Sequence, residues 1–240
     1  MEITSSKIRI SEKFATIQGE GKFSGMPSFF IRTSGCNLRC QWGASKCDTA
    51  YTSWALEGGW HDAQEVVSWA LADKSPHVVV TGGEPMLFSE QLRTIVLALR
   101  AHGKVVTIET NGTKFDEFVL PDLWSVSPKL FSSTPQAESK ERTMHIENNV
   151  LDTGFVALAL QNRDAIQFKF VVCEREDIAE IEMLVAVNCI MPHQVWLMPE
   201  GVTKEAVLER GVWLAEVCKK HGWNLALRCH VLLWGNKRGV

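Results

Sequence analysis

A chain of 240 residues, 45% of them hydrophobic, has enough apolar content to bury a full core, and residues 1–240 read as a single domain without linker, repeat or low-complexity segment. The net charge of -3, with lysines and arginines adjacent only at Lys219-Lys220 and Lys237-Arg238, gives no basic face for nucleic acid, and no apolar run is long enough to span a membrane. Seven cysteines, an odd count, and an opening that reads as neither a secretory nor a transit segment lead us to expect a reducing cytoplasm.

In chain order, apolar runs at Phe29-Phe30-Ile31, His77 to Thr81, Val105 to Ile108, Leu123 to Val126, Ile166 to Val172, Val195 to Met198 and Asn224 to Trp234 predict strands. Between them, Asp62-Ala63-Gln64-Glu65 has the form of a capping box opening a helix through Ala72. Leu92, Ile95, Val96 and Leu99 recur at helical spacing, with Gly103 as the stop. Ile178, Ile181 and Val185 mark another helix, and Thr203 to Lys220 a longer one. Strands alternating with helices predict βα units on a parallel sheet, which gathers its ligands at the carboxyl ends of the strands.

The chemistry-bearing motifs fall at those ends. Cys36, Cys40 and Cys47 share one loop after the first predicted strand, and no further cysteine occurs before Cys173. Cubane iron-sulfur clusters usually take four thiolates, so a triplet leaves one iron open to a small molecule. A closed zinc site wants four ligands, often in paired C-x2-C steps; no such pair occurs, although His61 offers itself as a fourth ligand. Thr81-Gly82-Gly83-Glu84-Pro85 follows the next strand, where two glycines permit either close backbone approach to a ligand or merely a tight turn. Glu109-Thr110-Asn111-Gly112 and Ser125-Val126-Ser127-Pro128-Lys129 end the following two strands; each alone is ordinary turn chemistry, and their recurrence at one end favours function. Cys173, Cys189, Cys218 and Cys229 read as small apolar side chains, and the seven histidines form no metal-spaced pair.

Cys-x3-Cys, the aromatic Trp42 two residues on, and Cys47-Asp48-Thr49 together resemble the radical S-adenosylmethionine superfamily. The usual triplet there is C-x3-C-x2-C; this chain has C-x3-C-x6-C, with the extra residues at Gly43 to Lys46. Phe14-Ala15-Thr16-Ile17-Gln18-Gly19-Glu20-Gly21, Phe29 to Cys36, Gln167-Phe168-Lys169-Phe170 and the ending Leu233 to Val240 narrow the resemblance to the 7-carboxy-7-deazaguanine synthase family, over nearly the whole chain. It implies an α/β fold, an incomplete (β/α)6-type partial barrel with parallel strands. It also implies conversion of 6-carboxy-5,6,7,8-tetrahydropterin to 7-carboxy-7-deazaguanine with loss of ammonia, in 7-deazapurine (queuosine) biosynthesis. Its cofactors would be a 4Fe-4S cluster, S-adenosyl-L-methionine and Mg2+; its partners, a second copy in a homodimer and an external one-electron reductant of flavodoxin or ferredoxin type.

Residue roles follow from the same resemblance. Cys36, Cys40 and Cys47 would hold the cluster and Thr49 the Mg2+, with Asp48 a competing ligand. Trp42, Gly83, Glu84, Ser127, Pro128, Lys129, Gln167, Phe168, Lys169 and Phe170 match cofactor contacts. Ile17, Gln18, Gly19, Glu20, Arg32, Thr81 and the terminal residue Val240 match substrate contacts, and no catalytic side chain is implied beyond the cluster and cofactor. The planar fork of Arg32 suits a carboxylate bidentately. Two alternatives stand beside this reading. A glycyl-radical activase would share the cluster but leave Ile17 to Glu20 and the chain end unexplained, and a non-catalytic iron-sulfur or zinc protein would need a fourth ligand.

Overall fold

The computed structural model describes residues 7–162 and 164–240. Its strands and helices, in chain order, are β1 (Lys7–Ile17), β2 (Pro27–Thr33), β3 (Gln41–Trp42), β4 (Ser45–Lys46), β5 (Gly59–Asp62), α1 (Ala63–Ala72), β6 (His77–Gly82), α2 (Ser89–Ala101), β7 (Val105–Thr110), β8 (Leu123–Val126), α3 (Lys140–Asn148), α4 (Thr153–Gln161), β9 (Ile166–Val172), α5 (Asp177–Val187), β10 (Val195–Pro199), α6 (Lys204–His221), β11 (Asn224–Leu225) and α7 (Cys229–Trp234). Nine strands form one sheet in the order β11-β10-β9-β8-β7-β6-β2-β1-β5. The seven from β2 to β11 in that order run parallel, whereas β1 pairs antiparallel with β2, and β5 antiparallel with β1.

Strand composition explains this arrangement. Val78, Val79 and Val80 of β6 and Phe168 and Phe170 of β9 are buried, as strands covered on both faces require. One apolar cluster joins Ile8 and Ile10, the α1 residues Val66 and Ala70, Leu92 and Leu99 of α2, Phe155 of α4, Ile181 of α5 and Leu214 of α6. Full burial of each of its valine, leucine, isoleucine and phenylalanine side chains stabilises by roughly 1.5–3 kcal/mol. Gly103, with φ of 77°, ends α2, and Thr203 caps α6 by accepting from the Ala206 N–H at 3.2 Å.

Three departures from the predicted elements matter. The run Asn224 to Trp234 is not one strand: β11 stops at Leu225 and α7 begins at Cys229. A short apolar run does not distinguish strand from helix by periodicity, and the polar pair Arg228 and His230 is drawn inward by Glu20, which turns the chain. The long β1 carries polar residues on its cavity side and so lacks an apolar signature. The charge-rich α3, capped by Ser139, and the short α4, capped by Asp152, are likewise additional to the predicted helices.

His77 sits at the amino-terminal end of the parallel strands, fully buried, with Nδ1 2.7 Å from Ser28 Oγ and Nε2 2.8 Å from Thr107 Oγ1. Burial lowers its pKa from 6.5 to about 4. The folded state therefore refuses a proton that the unfolded state accepts, so the stability from neutral His77 is complete above pH 6.5 and lost as pH falls toward 4. Urea unfolding is expected to show a loss on the order of 2–3 kcal/mol over that window from this group. His77→Gln is expected to flatten the dependence, and an unchanged slope would assign it to other groups.

Candidate active site

The carboxyl ends of β2, β6, β7, β8, β9 and β10 border a cavity of about 340 Å³, which the cysteine loop, the carboxy-terminal half of β1 and the chain end also line. All three cysteines of the loop line it. The longer spacing between Cys40 and Cys47 is absorbed by a hairpin: Gln41 pairs with Lys46 and Trp42 with Ser45, with a two-residue turn at Gly43-Ala44. Gly43 takes φ of 57°, which such a turn requires. The Cys47 N–H then donates to the Cys40 carbonyl at 3.1 Å, so the hairpin places the third thiol beside the second.

The loop is fixed from beneath. The Gly35 N–H donates to Thr52 O at 2.9 Å, the Glu84 N–H to Gly35 O at 2.8 Å and the Gly83 N–H to Thr33 O at 3.2 Å. A Cβ at Gly83 would stand 2.2 Å from Gly35 O and 2.8 Å from Thr52 O, both backbone atoms. Glycine here permits the turn after β6 to lie directly against the cysteine loop. The Glu84 side chain points away from the cavity. Its Oε1 accepts from the Met86 N–H at 2.9 Å and the Thr110 hydroxyl at 2.7 Å, and its Oε2 from the Asn111 N–H at 2.6 Å. Burial raises its pKa against those donors. Glu84 therefore welds the ends of β6 and β7, in contrast to the cavity contact expected of it.

The substrate residues expected from the sequence converge. Ile17, Gln18, Gly19, Glu20, Arg32, Thr81 and Val240 all line the cavity. Gln18 Nε2 donates to Glu109 Oε1 at 3.2 Å and Thr81 Oγ1 to Glu109 Oε2 at 2.9 Å, while Lys169 Nζ lies 3.5 Å from Glu109 and also donates to Glu20. Glu20 is held on its other side by Arg228, which in turn grips Asp48. Burial opposes ionisation of Glu20, but Lys169 and Arg228 keep its carboxyl well below the usual range. Lys169, whose pKa burial would lower, is carried above its ordinary value by Glu109 and Glu20. The cavity floor is thus a chain of paired charges at neutral pH.

Of the expected cofactor residues, Trp42, Gly83, Ser127, Lys129 and Lys169 line the cavity. Pro128, Gln167, Phe168 and Phe170 do not. Strand alternation explains Phe168 and Phe170, which point into the apolar core while Lys169 faces the cavity; Gln167 shares the face of Lys169, but its amide is engaged, donating to Ser125 Oγ at 2.8 Å and accepting from the Lys22 N–H at 2.9 Å. Glu12, Tyr51, Arg228 and His230 line the cavity without having been singled out, and Glu109 lines it having been named only within a strand-end motif. Glu109 had a signal, since it opens the Glu-Thr-Asn-Gly turn. His230 carried no sequence signal; in the fold a Cβ at Gly19 would stand 2.1 Å from its Nδ1, so that glycine makes room for the ring.

The residues present fit an iron-sulfur cluster. All the cysteines are free thiols. Burial pushes Cys36 up to about 12 and also raises Cys40 and Cys47, with the neighbouring thiols adding to the first two. Thiols so raised are protonated at neutral pH, and ionising all three beside one cavity calls for a cationic body among them. Among the described residues no three His, Cys, Asp or Glu side chains converge on one ion position. His61 is no fourth ligand. It lies on β5, with Nδ1 3.1 Å from Glu65 and its ring against Trp69, outside the cavity. Trp42 Nε1 and Ser53 Oγ are buried without a protein hydrogen-bond partner, and both residues border the same cavity.

A parallel α/β sheet carrying a thiol triplet at its carboxyl edge defines a radical S-adenosylmethionine protein, and the family model described as Radical SAM superfamily matches residues 30–149. The chain is 38% identical to a 7-carboxy-7-deazaguanine synthase from Rhodopirellula baltica, over 99% of this chain and 90% of that protein. It is 35% identical to one from Pyrobaculum aerophilum, over 97% of each. The chain belongs to the 7-carboxy-7-deazaguanine synthase family. A crystal structure of QueE from Escherichia coli shares the fold with a TM-score of 0.67 at 24% identity, covering 93% of this chain and 95% of that one.

The Gly83 contact makes a direct prediction. Gly83→Ala is expected to cost roughly 1–3 kcal/mol, because the clash is with backbone, which yields less readily than a side chain. Thermal unfolding checks this, and an unchanged midpoint would show that the cysteine loop is not held there.

Proposed function

We propose that this chain converts 6-carboxy-5,6,7,8-tetrahydropterin to 7-carboxy-7-deazaguanine with release of ammonia, on the route to queuosine and related 7-deazapurines. The observation that carries the reading is the meeting, in one cavity, of the thiol triplet with Gln18, Glu20, Arg32, Thr81 and Val240. When bound, the 4Fe-4S cluster and S-adenosyl-L-methionine supply, on one-electron reduction, a 5'-deoxyadenosyl radical for hydrogen abstraction.

The protein's own contribution is to bind, orient and exclude water. Cys36, Cys40 and Cys47 are the cluster ligands in this reading. Gly83, Ser127, Lys129 and Lys169 form the cofactor wall, where Lys129 Nζ donates to Ser127 Oγ at 2.7 Å. The Arg32 fork takes the substrate carboxylate, and the Val240 carboxylate accepts from the aminopyrimidinone edge. The ion-paired floor of Glu20, Lys169 and Glu109 gives the pterin a preorganised polar surface in place of water. Thr49 offers its hydroxyl to Mg2+, an ion that keeps water and substrate oxygens in its shell and so tolerates a single protein ligand. Asp48 is already committed to Arg228.

The same proposal includes a single domain spanning the chain, supported by its one apolar cluster, and curvature of the sheet into an incomplete (β/α)6 barrel, supported by six successive strand ends facing one cavity. It also includes a homodimer, a flavodoxin- or ferredoxin-type reductant and a cytoplasmic setting. No helix among the described residues is long and apolar enough to cross a membrane.

The test is anaerobic turnover of the reconstituted protein with S-adenosyl-L-methionine, dithionite, Mg2+ and the pterin, followed by mass spectrometry. Product that requires the cofactor supports the reading; cofactor cleavage with no product would send the same cavity to another substrate. Two sets of variants accompany it. Cys36→Ala, Cys40→Ala and Cys47→Ala are expected to lose cluster iron while Cys173→Ala retains it, and equal iron in all four would remove the ligand assignment. Arg32→Lys is expected to raise KM about tenfold or more through loss of bidentate geometry. A KM like that of the unmodified enzyme would place the carboxylate elsewhere.

A further inference from the structure

The functional reading treats Arg32 and the chain terminus as separate recognition groups, but one carboxylate holds both. Glu12 Oε1 accepts from Arg32 Nε at 2.6 Å and from the Tyr51 hydroxyl at 2.8 Å, and Glu12 Oε2 accepts from Arg238 Nε at 2.6 Å. Arg238 lies two residues before the end of the chain. It also donates through Nη1 to Glu57 at 2.9 Å and lies 3.7 Å from the centre of the Tyr51 ring. Among the described residues neither Nη group of Arg32 donates a hydrogen bond to the protein, so the side-on grip at Nε leaves the outer fork free toward the cavity.

The backbone is built to make this contact. Ile8 and Ile10 of β1 point into the apolar core, and uninterrupted alternation would send residue 12 after them. A bulge between Ile10 and Glu12 shifts the register, so that Ile10 opposes Thr33 and Glu12 opposes Arg32. The shift reverses the face: Glu12, Phe14 and Thr16 line the cavity. A bulge that aims a carboxylate at an arginine across an antiparallel pair is a positioning device, and the third party it reaches is the chain end.

We propose that Glu12 is a positioning residue that sets both the direction of the Arg32 fork and the seat of the carboxy-terminal segment, so that recognition of the substrate's carboxylate and of its ring edge are one coupled act. This rests on the proposed function for what Arg32 and Val240 recognise. Removing the Glu12 charge leaves two guanidiniums, Arg32 and Arg238, facing each other without their shared anion, so the fork turns and the tail lifts.

The test uses the reconstituted holoenzyme with Glu12→Gln, Arg238→Ala and the double variant. It has two readouts: KM and kcat for the pterin, and the rate at which carboxypeptidase releases the terminal valine from the folded, substrate-free protein. Loss of a charge-assisted hydrogen bond predicts that Glu12→Gln raises KM about tenfold or more, lowers kcat by much less, and speeds valine release. Arg238→Ala is expected to raise KM although it leaves Arg32 intact, and the double variant to raise it by less than the product of the two single effects. Unchanged KM and valine release in Glu12→Gln, or single effects that multiply in the double variant, would overturn the coupling. If Glu12→Gln does not fold, Arg238→Ala, at the exposed end of the chain, decides alone: KM equal to that of the unmodified enzyme refutes the proposal. If the unmodified enzyme makes no product, the functional reading fails, while valine release still decides whether Glu12 holds the tail.

Discussion

Everything in the site depends on one backbone contact, the seat of the cysteine loop on the turn that follows β6. Thr33 and Gly35 on the loop side meet Gly83 and the Glu84 N–H on the turn side, and Glu84 then ties the turn to Thr110 and Asn111 of the next strand. Three thiols spread over a long loop would otherwise cost much chain entropy to hold together. With the loop pinned at Gly35 and Thr52, and folded back through the β3–β4 hairpin, the remaining freedom of Cys40 and Cys47 is small. The inserted residues are thus accommodated by geometry: a hairpin lengthens the sequence between two positions without separating them in space.

The second constraint is electrostatic. Glu20, Lys169, Glu109, Arg228 and Asp48 form a run of contacts across a largely buried floor, and Glu12, Arg32 and Arg238 form another along the β1 side. Such networks are costly in desolvation and add little to stability compared with an apolar replacement. Their value is directional. Each cation is fixed by a carboxylate before any ligand arrives, so a polar, planar substrate meets groups that need not reorganise. The chain joins residues distant in sequence, with Arg228 near the end of the chain reaching Glu20 near its start and Asp48 in the cysteine loop. The cysteine loop, the segment after β1 and the carboxy-terminal part of the chain are therefore mechanically linked.

How much of this was legible in the sequence follows from the kind of signal each part carries. The parallel strands β6 to β10 announced themselves through short runs rich in Val, Ile, Leu and Phe. The glycine turn and the cysteine triplet did so because their chemistry admits few residue types. Strand β1 was silent because a bulge and a polar cavity face erase its alternation. Helix α7 was misread because His-Val-Leu-Leu-Trp is apolar enough for either state, and the tertiary pull of Glu20 on Arg228 decides it. The side chains of Phe168 and Phe170 lie in the core although the stretch that names them borders the cavity. A motif names a stretch, but strand alternation gives the cavity only every second side chain. The ion-pair partners Glu12, Glu109 and Arg228 come from three separate strand ends and loops, and only the fold puts them together.

The central claim is that three thiols, and no fourth protein ligand, hold a cluster beside an open cavity. Electron paramagnetic resonance of the anaerobically reduced protein, with and without S-adenosyl-L-methionine, tests it most directly. The account predicts that the cofactor changes the cluster spectrum, because it binds at an iron the protein leaves open. A cluster spectrum indifferent to the cofactor would mean that the iron is fully ligated by the protein, and would contradict the account.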